Sequence, residues 1–141
     1  MSRLRQATGL LTVRTPGRAL VELTHQVAEW VRAQDMREGL LTLFCRHTSA
    51  SLLIQENAAP AVKIDLLDWL ERIAPEDARY AHDDEGPDDM PAHIRAMLTG
   101  VNLTVPVIDG ALALGTWQGI YLAEHRRAAH RRDVILHIIG E

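Results

Sequence analysis

Short apolar runs separated by polar turns cover most of the chain, and their spacing predicts several strands. In the first half, the runs that fit buried or half-buried strands lie at residues 4–12, 19–23, 40–45 and 51–55. Thr15-Pro16-Gly17 predicts a turn after the first run. The run at 51–55 is expected to pair with the strand at 40–45 or to lie beside it.

Helical spacing of apolar residues predicts two main helices. The first has Thr24 as its N-cap and carries Val27, Trp30 and Val31 on one face. The second has Pro60 near its first turn, and its apolar stripe repeats at Val62, Leu66, Leu67, Leu70 and Ile73. A long acidic loop over residues 75–91 then precedes a short helix over 92–98, which ends at Gly100.

The last third of the chain has the pattern of a β-meander. Its strands are predicted at residues 103–107, 111–114, 116–122 and 134–139, with the hairpin signal Asp109-Gly110 after the first. Because strands and helices do not alternate regularly, the predicted class is α+β, with a mainly antiparallel β-sheet packed against two main helices. The length of 141 residues predicts one domain over residues 1–141.

Composition narrows the range of partners. A net charge of −4 and an aromatic content of 4% argue against nucleic acid or a membrane surface as a partner. Cys45 is the only cysteine, so no intramolecular disulfide can form. The chain starts without the apolar stretch of a signal peptide, and no apolar run reaches the length of a bilayer-spanning helix. We therefore expect a cytoplasmic protein.

Three histidines lie at the ends of predicted elements, beside polar residues. His47 follows a buried strand, and His93 lies in the first turn of a short helix. His82 opens the acidic loop, with Glu85 three residues further on. Neutral imidazoles and a carboxylate from separate segments suit a divalent metal with one open coordination position. The alternative is surface or hydrogen-bonded core roles, because no two of these histidines have the spacing of a helical metal motif.

Two further segments carry candidate binding groups. Trp117 and Gln118 lie in a predicted strand with a glycine, which indicates close approach of another group; packing of Trp117 in a core or subunit interface is the alternative. An arginine cluster suits bidentate binding of phosphate or pyrophosphate, and a solvated, salt-bridged loop is the alternative. The cluster consists of Arg126, Arg127, Arg131 and Arg132.

Several segments together resemble the YjbQ family, and the resemblance extends from the first strand to Gly140-Glu141. They are His47-Thr48-Ser49-Ala50-Ser51, Gln55-Glu56-Asn57, the stretch from His82 to Ile94, Gly115-Thr116-Trp117-Gln118-Gly119-Ile120, and Glu124-His125-Arg126 with Arg131-Arg132. The resemblance implies a curled antiparallel sheet, a homotrimer, and a polar pocket with the matched histidines near a subunit boundary. It also implies a secondary thiamine-phosphate synthase activity, which couples hydroxymethylpyrimidine diphosphate to thiazole phosphate and releases pyrophosphate.

On this hypothesis each matched residue has an expected role. His47, His82 and His93 are metal ligands or polar pocket groups, and Glu85 assists them as a catalytic residue. The metal is expected to be a divalent ion, Zn²⁺ or Mg²⁺. The other matched side chains are expected to bind the phosphorylated small-molecule substrate: Arg126 and Arg131 its phosphate oxygens, Trp117 a heteroaromatic ring, and Asn57, Gln118 and Glu124 the rest of the ligand.

One position departs from the pattern of the family. Where the family commonly has Glu-Asn-x-Asp-Pro, this chain has Glu56-Asn57-Ala58-Ala59-Pro60, so Ala59 replaces an acid. If that acid is catalytic or holds a metal, this protein is weakened or acts on another substrate. Two alternative functions therefore stay open: a non-catalytic small-metabolite-binding trimer, and a metal-assisted hydrolase of a phosphorylated metabolite.

Overall fold

The computed structural model describes residues 3–141, and this part of the chain contains eight strands and three helices. The first half contains two strands, a helix, two more strands and a second helix. The second half contains a helix followed by four strands. In chain order the elements are β1 Arg5–Thr15, β2 Ala19–Glu22, α1 Thr24–Ala33, β3 Gly39–Cys45, β4 Ala50–Glu56, α2 Pro60–Ile73, α3 Asp89–Thr99, β5 Asn102–Ile108, β6 Ala111–Leu112, β7 Gln118–Glu124 and β8 His130–Gly140.

The strands form two sheets, and every recorded strand pair is antiparallel. The larger sheet has the order β1-β8-β3-β5-β6 and curls as a half-barrel. The smaller sheet has the order β2-β7-β4. The class predicted from the sequence, α+β with a curled and mainly antiparallel sheet, is therefore confirmed. The chain divides its strands between two sheets, where one sheet was expected, and it carries the two main helices and the third, shorter helix that the sequence predicts.

The main core lies between the two sheets and α1. Along β3, Leu41, Leu43 and Cys45 are almost fully buried, whereas Leu40 and Phe44 are 43% and 47% exposed. This alternation is the two-residue period of a strand with one buried face. Each buried leucine contributes roughly 1.5–3 kcal/mol. The opposite face of the small sheet carries a second, smaller apolar cluster, which packs against α2 through Leu66 and Leu67.

A buried arginine joins the two helices of the second layer. Arg95 in α3 is 1% exposed, and its guanidinium donates to the main-chain carbonyls of Leu70 and Ala74 at 3.1 and 2.7 Å. Those carbonyls lie at the C-terminal end of α2, where a positive charge is favoured by the helix dipole. Arg95 therefore fixes the end of α2 against α3, although Leu70 is the only residue of α2 that is fully buried.

Three local predictions are wrong. The strand at 51–55 pairs with β7 in the small sheet and not with the strand at 40–45. Thr24 is the first residue of α1 and not its N-cap, because its hydroxyl donates to Glu22 and accepts from the amide of Ile120. The third helix starts at Asp89, three residues before the predicted start.

Within residues 3–141, no helix is long and apolar enough to span a bilayer.

Candidate functional site

Two residues of α3 and one loop residue form a polar cluster, the histidine cluster, made of His82, Asp89 and His93. Asp89 and His93 are four residues apart, so both project from one face of the helix. The Oδ2 atom of Asp89 lies 2.9 Å from Nε2 of His82 and 3.2 Å from Nε2 of His93. One carboxylate oxygen thus faces two imidazole nitrogens from separate segments.

A main-chain carbonyl sets the tautomer of His93. Its Nδ1 lies 3.0 Å from the carbonyl oxygen of Thr48, which can only accept, so Nδ1 carries the proton. In the neutral ring, Nε2 then presents a lone pair toward the carboxylate of Asp89. Two lone pairs 3.2 Å apart repel unless a proton or a cation lies between them. The geometry of His93 therefore requires a proton or a cation between these two atoms.

Arg126 holds the carboxylate of Asp89 in place. Its Nη1 donates to Oδ1 of Asp89 at 2.9 Å, its Nε donates to Asp88 at 3.0 Å, and its Nη2 donates to the carbonyl of Glu85 at 3.0 Å. The hydrogen bonds to Asp88 raise the pKa of Arg126. Since its recorded contacts use all three guanidinium nitrogens, Arg126 positions the site. This differs from its predicted role as a group for phosphate oxygens.

Within the histidine cluster, the pKa of His82 is raised and the pKa of Asp89 is lowered. Hydrogen bonds to Asp89 and Glu85 raise the pKa of His82. Burial acts to raise the pKa of Asp89, but the hydrogen bond from His82 and the charges of His93 and Arg126 lower it on balance. The carboxylate of Asp89 is therefore ionised at neutral pH, in the form that binds cations.

Glu85 lies beside this cluster, as predicted, and His47 does not. The Oε2 atom of Glu85 is 3.0 Å from Nε2 of His82. The Nε2 atom of His47 accepts a hydrogen bond from the amide of Asp133 at 2.8 Å, so that nitrogen has no free lone pair. Burial also lowers the pKa of His47. Within residues 3–141, His47 is in neither group of side chains whose geometry suits a metal.

Glu124 is a core residue, which differs from its predicted contact with substrate. It is 0% exposed, and its carboxylate accepts from Arg132 at 2.5 and 2.8 Å and from the hydroxyl of Thr15 at 2.7 Å. The amide of Arg126 supplies a further bond at 3.1 Å. Burial acts to raise the pKa of Glu124, but these donors lower it on balance. The Glu124–Arg132 pair has the geometry of a structural ion pair.

Arg131 points away from this pair. Side chains alternate along β8, so Arg131 lies on the outer face of the large sheet, next to Arg14 of β1, while Arg132 is buried. The guanidinium of Arg127 pairs with Glu76, and its amide donates to Asp88. The four arginines that the sequence groups together therefore do not form one cluster: three are held in different ion pairs, and Arg131 is exposed on the outer face of the large sheet.

Asn57, Trp117 and Gln118 form a second group, the tryptophan end. The main-chain N–H of Asn57 donates to the carbonyl of Trp117 at 3.0 Å, and its side-chain Nδ2 donates to the carboxylate of Glu22 at 3.0 Å. Trp117 is 63% exposed. A Cβ atom on Gly119 would lie 2.8 Å from the carboxylate of Glu22 and 2.9 Å from the Cβ of Asn57, so a larger residue would displace these neighbours. The close approach that the mid-strand glycine predicts is therefore present.

The tryptophan end and the histidine cluster lie at opposite ends of the small sheet. Gln118 begins β7 opposite Glu56, and Glu124 ends it opposite Ala50, close to the segment that contacts His93. Six residues of strand separate the two ends, or about 20 Å. One chain therefore does not bring all the predicted binding residues into a single pocket.

Ala59 lies at the N-cap of α2, with extended backbone angles and no side-chain cap. Asp is among the preferred residues at that position, because its carboxylate accepts from the free amides of the first turn. The acid that the family commonly has here therefore has a structural explanation, which does not require a catalytic role.

A cavity of about 370 Å³ adjoins His82 and is lined by residues of the acidic loop and of the first part of α3. The lining includes the loop residues Glu76, Arg79, Tyr80, His82 and Asp83. The hydroxyl of Tyr80 donates to the carbonyl of Pro75 at 2.7 Å, which ties the start of the loop to the end of α2.

Asp89 is the residue that sequence reasoning missed. Its spacing of four residues from His93 was visible, but the helix was expected to begin after both Asp89 and Pro91. With Asp89 in a loop, the shared helical face was not recognised. A proline in the first turn of a helix is common and could have indicated the earlier start.

The fold and the histidine cluster define an α+β protein with two antiparallel sheets and a histidine–carboxylate centre at one end of the smaller sheet. A model of the UPF0047 protein YjbQ-like family matches residues 10–141. This chain belongs to the YjbQ (UPF0047) family.

Individual relatives agree over nearly the whole chain. A UPF0047 protein of Synechocystis sp. is 47% identical over 97% of this chain and 94% of its own length. The YjbQ protein of Escherichia coli O157:H7 is 41% identical over 96% of this chain and 98% of its own. A crystal structure of a YbjQ-like protein of unknown function from Sulfolobus solfataricus superposes with a TM-score of 0.92 at 24% identity, covering 99% of this chain and 100% of the other, which supports the fold.

Proposed function

We propose that His82, Asp89 and His93 bind a divalent metal ion, and that the protein uses this centre to act on a phosphorylated small molecule. The single observation that supports this most is the position of Oδ2 of Asp89 between two imidazole Nε2 atoms, at 2.9 and 3.2 Å. Donor atoms around a tetrahedral ion with bonds of about 2.0–2.1 Å lie roughly 3.3 Å apart. Two of the three distances between donor atoms are therefore near the spacing that an ion requires, and all three donor atoms lie within 4.8 Å of one another.

The donor types favour zinc over magnesium. Imidazole nitrogens suit zinc and related transition metals, whereas magnesium prefers oxygen donors and bound water. Two histidines and one carboxylate leave at least one coordination position for a ligand. The side chains of His82 and His93 are 45% and 31% exposed, so a ligand can reach the centre.

Within this class, we propose a secondary thiamine-phosphate synthase-like activity. In that reaction the thiazole nitrogen attacks the methylene carbon of hydroxymethylpyrimidine diphosphate, a C–N bond forms, the C–O bond breaks, and pyrophosphate leaves with the electron pair. A divalent ion would stabilise the charge that develops on the leaving group. The protein's own contribution is to hold Asp89 through Arg126 and to fix the tautomer of His93 through the carbonyl of Thr48.

Homotrimer formation is part of the proposal. The tryptophan end and the histidine cluster lie at opposite ends of one chain, and association would allow the end of one subunit to complete the site of the next. Apolar side chains on the surface of the second layer are available for such contacts, since Ile64 is 59% exposed and Met97 is 74% exposed. Light scattering after size exclusion measures the mass directly, and a monomer would contradict this part.

A metal-assisted hydrolase of a phosphorylated metabolite is the second candidate. It is favoured by the exposure of the centre, which admits water as well as an acceptor. A non-catalytic metabolite-binding role had its main support in Ala59, and the helix-cap position of that residue weakens the argument. Assays with both synthase substrates and Zn²⁺ or Mg²⁺, at stoichiometric and at catalytic enzyme, together with a phosphate-release screen, separate the three.

Metal binding is the first property to test. Zinc affinity, measured by competition with a chromophoric chelator, is expected to be lost in His82→Ala, with a thermal melt close to that of the wild type. The matched control is His25→Ala, because His25 lies on α1, 81% exposed, and pairs only with Glu29. Unchanged zinc affinity in His82→Ala would refute the proposed centre.

A further inference from the structure

The cavity beside His82 is lined by one arginine, Arg79, whereas the other arginines of this region are held in ion pairs. Arg126 is bound to Asp88, Asp89 and the carbonyl of Glu85. Arg127 pairs with Glu76, and Arg132 with Glu124. None of these three guanidinium groups can turn to a ligand without breaking an internal ion pair.

Arg79 differs from them in position and in partners. It lines the 370 Å³ cavity together with His82, three residues further along the loop. Its side chain is exposed, and in the part of the chain that the structure describes it has no recorded hydrogen bond or ion pair. The hydroxyl of its neighbour Tyr80 donates to the carbonyl of Pro75. This bond restrains the backbone next to Arg79, whereas the guanidinium of Arg79 can still bind a ligand.

We propose that Arg79 binds the phosphate group of the ligand in the cavity beside His82. This inference rests on the proposed function, because it assigns the anion-binding residue of the same centre. A guanidinium presents paired N–H donors that match phosphate oxygens, and this geometry is stronger than a single charged contact.

The charge around the cavity makes such a residue necessary. Asp83 lines the cavity, and Asp84 and Glu85 follow directly in the loop. A phosphate that approached these carboxylates alone would be repelled. Arg79 and a cation at the histidine cluster would together offset that repulsion, so phosphate binding is expected to require both.

The test measures binding of inorganic phosphate to zinc-loaded, desalted protein by calorimetry. Arg79→Ala is expected to weaken phosphate binding about ten-fold, and Arg79→Lys less, because lysine keeps the charge and loses the fork of donors. Zinc affinity should stay unchanged in both variants. Arg14→Ala is the matched control, since Arg14 is an exposed arginine on β1, on the outer face of the large sheet.

The outcomes separate the two proposals. If the wild type binds zinc and phosphate and Arg79→Ala binds both equally well, Arg79 is excluded and the metal centre stands. Loss of phosphate binding in Arg131→Ala with none in Arg79→Ala would also overturn the inference and restore the assignment made from the sequence. A wild type that binds zinc but no phosphate at millimolar concentration would overturn it as well. Failure of the wild type to bind zinc would instead contradict the proposed function.

Discussion

The Glu124–Arg132 pair and the histidine cluster use similar side chains but differ in how their polar atoms are partnered. Around Glu124, both carboxylate oxygens accept from protein donors, and the group is 0% exposed. Around Asp89, one oxygen accepts from Arg126, while the other faces two imidazoles that are partly exposed. The first arrangement is complete within the chain, whereas we propose that a cation completes the second.

The difference teaches that residue type alone does not identify a binding site. Arg132 and Arg126 both hold a carboxylate. Arg132 completes a buried pair, whereas the second oxygen of the carboxylate that Arg126 holds contacts only two partly exposed imidazoles among the recorded contacts. The useful criterion is whether donors and acceptors balance inside the protein. On that criterion the candidate site lies at Asp89 and not at Glu124.

The largest effect is expected from Glu124→Ala. Removal of this carboxylate leaves the buried guanidinium of Arg132 without its partner, which typically costs about 3–5 kcal/mol. Urea unfolding measures the change. Arg37→Ala is the control, because its pair with Asp109 is exposed, with side-chain exposures of 81% and 77%, and is expected to contribute under about 1 kcal/mol. A loss for Glu124→Ala as small as that of the control would mean that the buried pair is not structural.

A buried histidine near these groups should make stability depend on pH. His125 is 1% exposed, its Nε2 lies 2.8 Å from the hydroxyl of Ser51, and burial lowers its pKa to about 4. The unfolded chain takes up a proton near pH 6.5, and the folded chain only near pH 4, so stability falls as the pH drops through this window. From pH 7 to pH 5 the contribution of His125 is expected to fall by about 2 kcal/mol.

Urea unfolding of wild type and His125→Gln at both pH values measures this contribution. The variant should lose the pH-dependent part, whatever its stability at pH 7. His25→Gln, which changes an exposed histidine, should keep the pH dependence of the wild type. Equal slopes in wild type and His125→Gln would show that His125 is not held neutral in the folded state.

An intermediate effect is expected from Arg126→Gln. Loss of the group that orients a metal ligand typically lowers metal affinity about 10–100-fold. Zinc competition measures it, and Arg127→Gln serves as control because the guanidinium of Arg127 pairs with Glu76 instead of Asp89. If both variants bind zinc as the wild type does, the orientation of Asp89 by Arg126 has no functional role.

The smallest effect is a gain, from Ala59→Asp. An acid at the N-cap of α2 should raise the free energy of unfolding by about 1 kcal/mol, because it accepts from the free amides of the first turn. This position lies outside both charged clusters, so zinc affinity should not change. An increase in zinc affinity or in turnover would instead assign the family's acid to the site.

The sequence was sufficient for features that depend on local pattern. The structure contains three such features: the alternation of buried and exposed residues along β3, the Asp109-Gly110 hairpin, and the end of α3 at Gly100. Each follows from residues that are neighbours in the sequence. Of the residues that the sequence groups as a site, the structure brings His82, Glu85 and His93 together. These side chains lie on one loop and the helix that follows it, so their proximity involves few long-range contacts.

What the sequence could not supply depends on contacts between distant segments. The Nε2 atom of His47 accepts a hydrogen bond from the amide of Asp133, and the carboxylate of Glu124 accepts one from the hydroxyl of Thr15, which is 109 residues away in the chain. No local pattern distinguishes a carboxylate paired in the core from one that faces solvent. The division of strands into two sheets is of the same kind, because the partner of β4 is β7, more than sixty residues away in the chain.

The buried Arg95 has a further consequence for the loop that carries His82. The loop leaves the end of α2, where Arg95 donates to the carbonyls of Leu70 and Ala74, and it enters α3, the helix to which Arg95 belongs. The guanidinium of Arg95 therefore keeps the two helices at the ends of the loop in contact with each other. The entropy of closing that loop is lost when the chain folds. Binding of the proposed ligand would therefore not bear the entropic cost of bringing the two ends of the loop together.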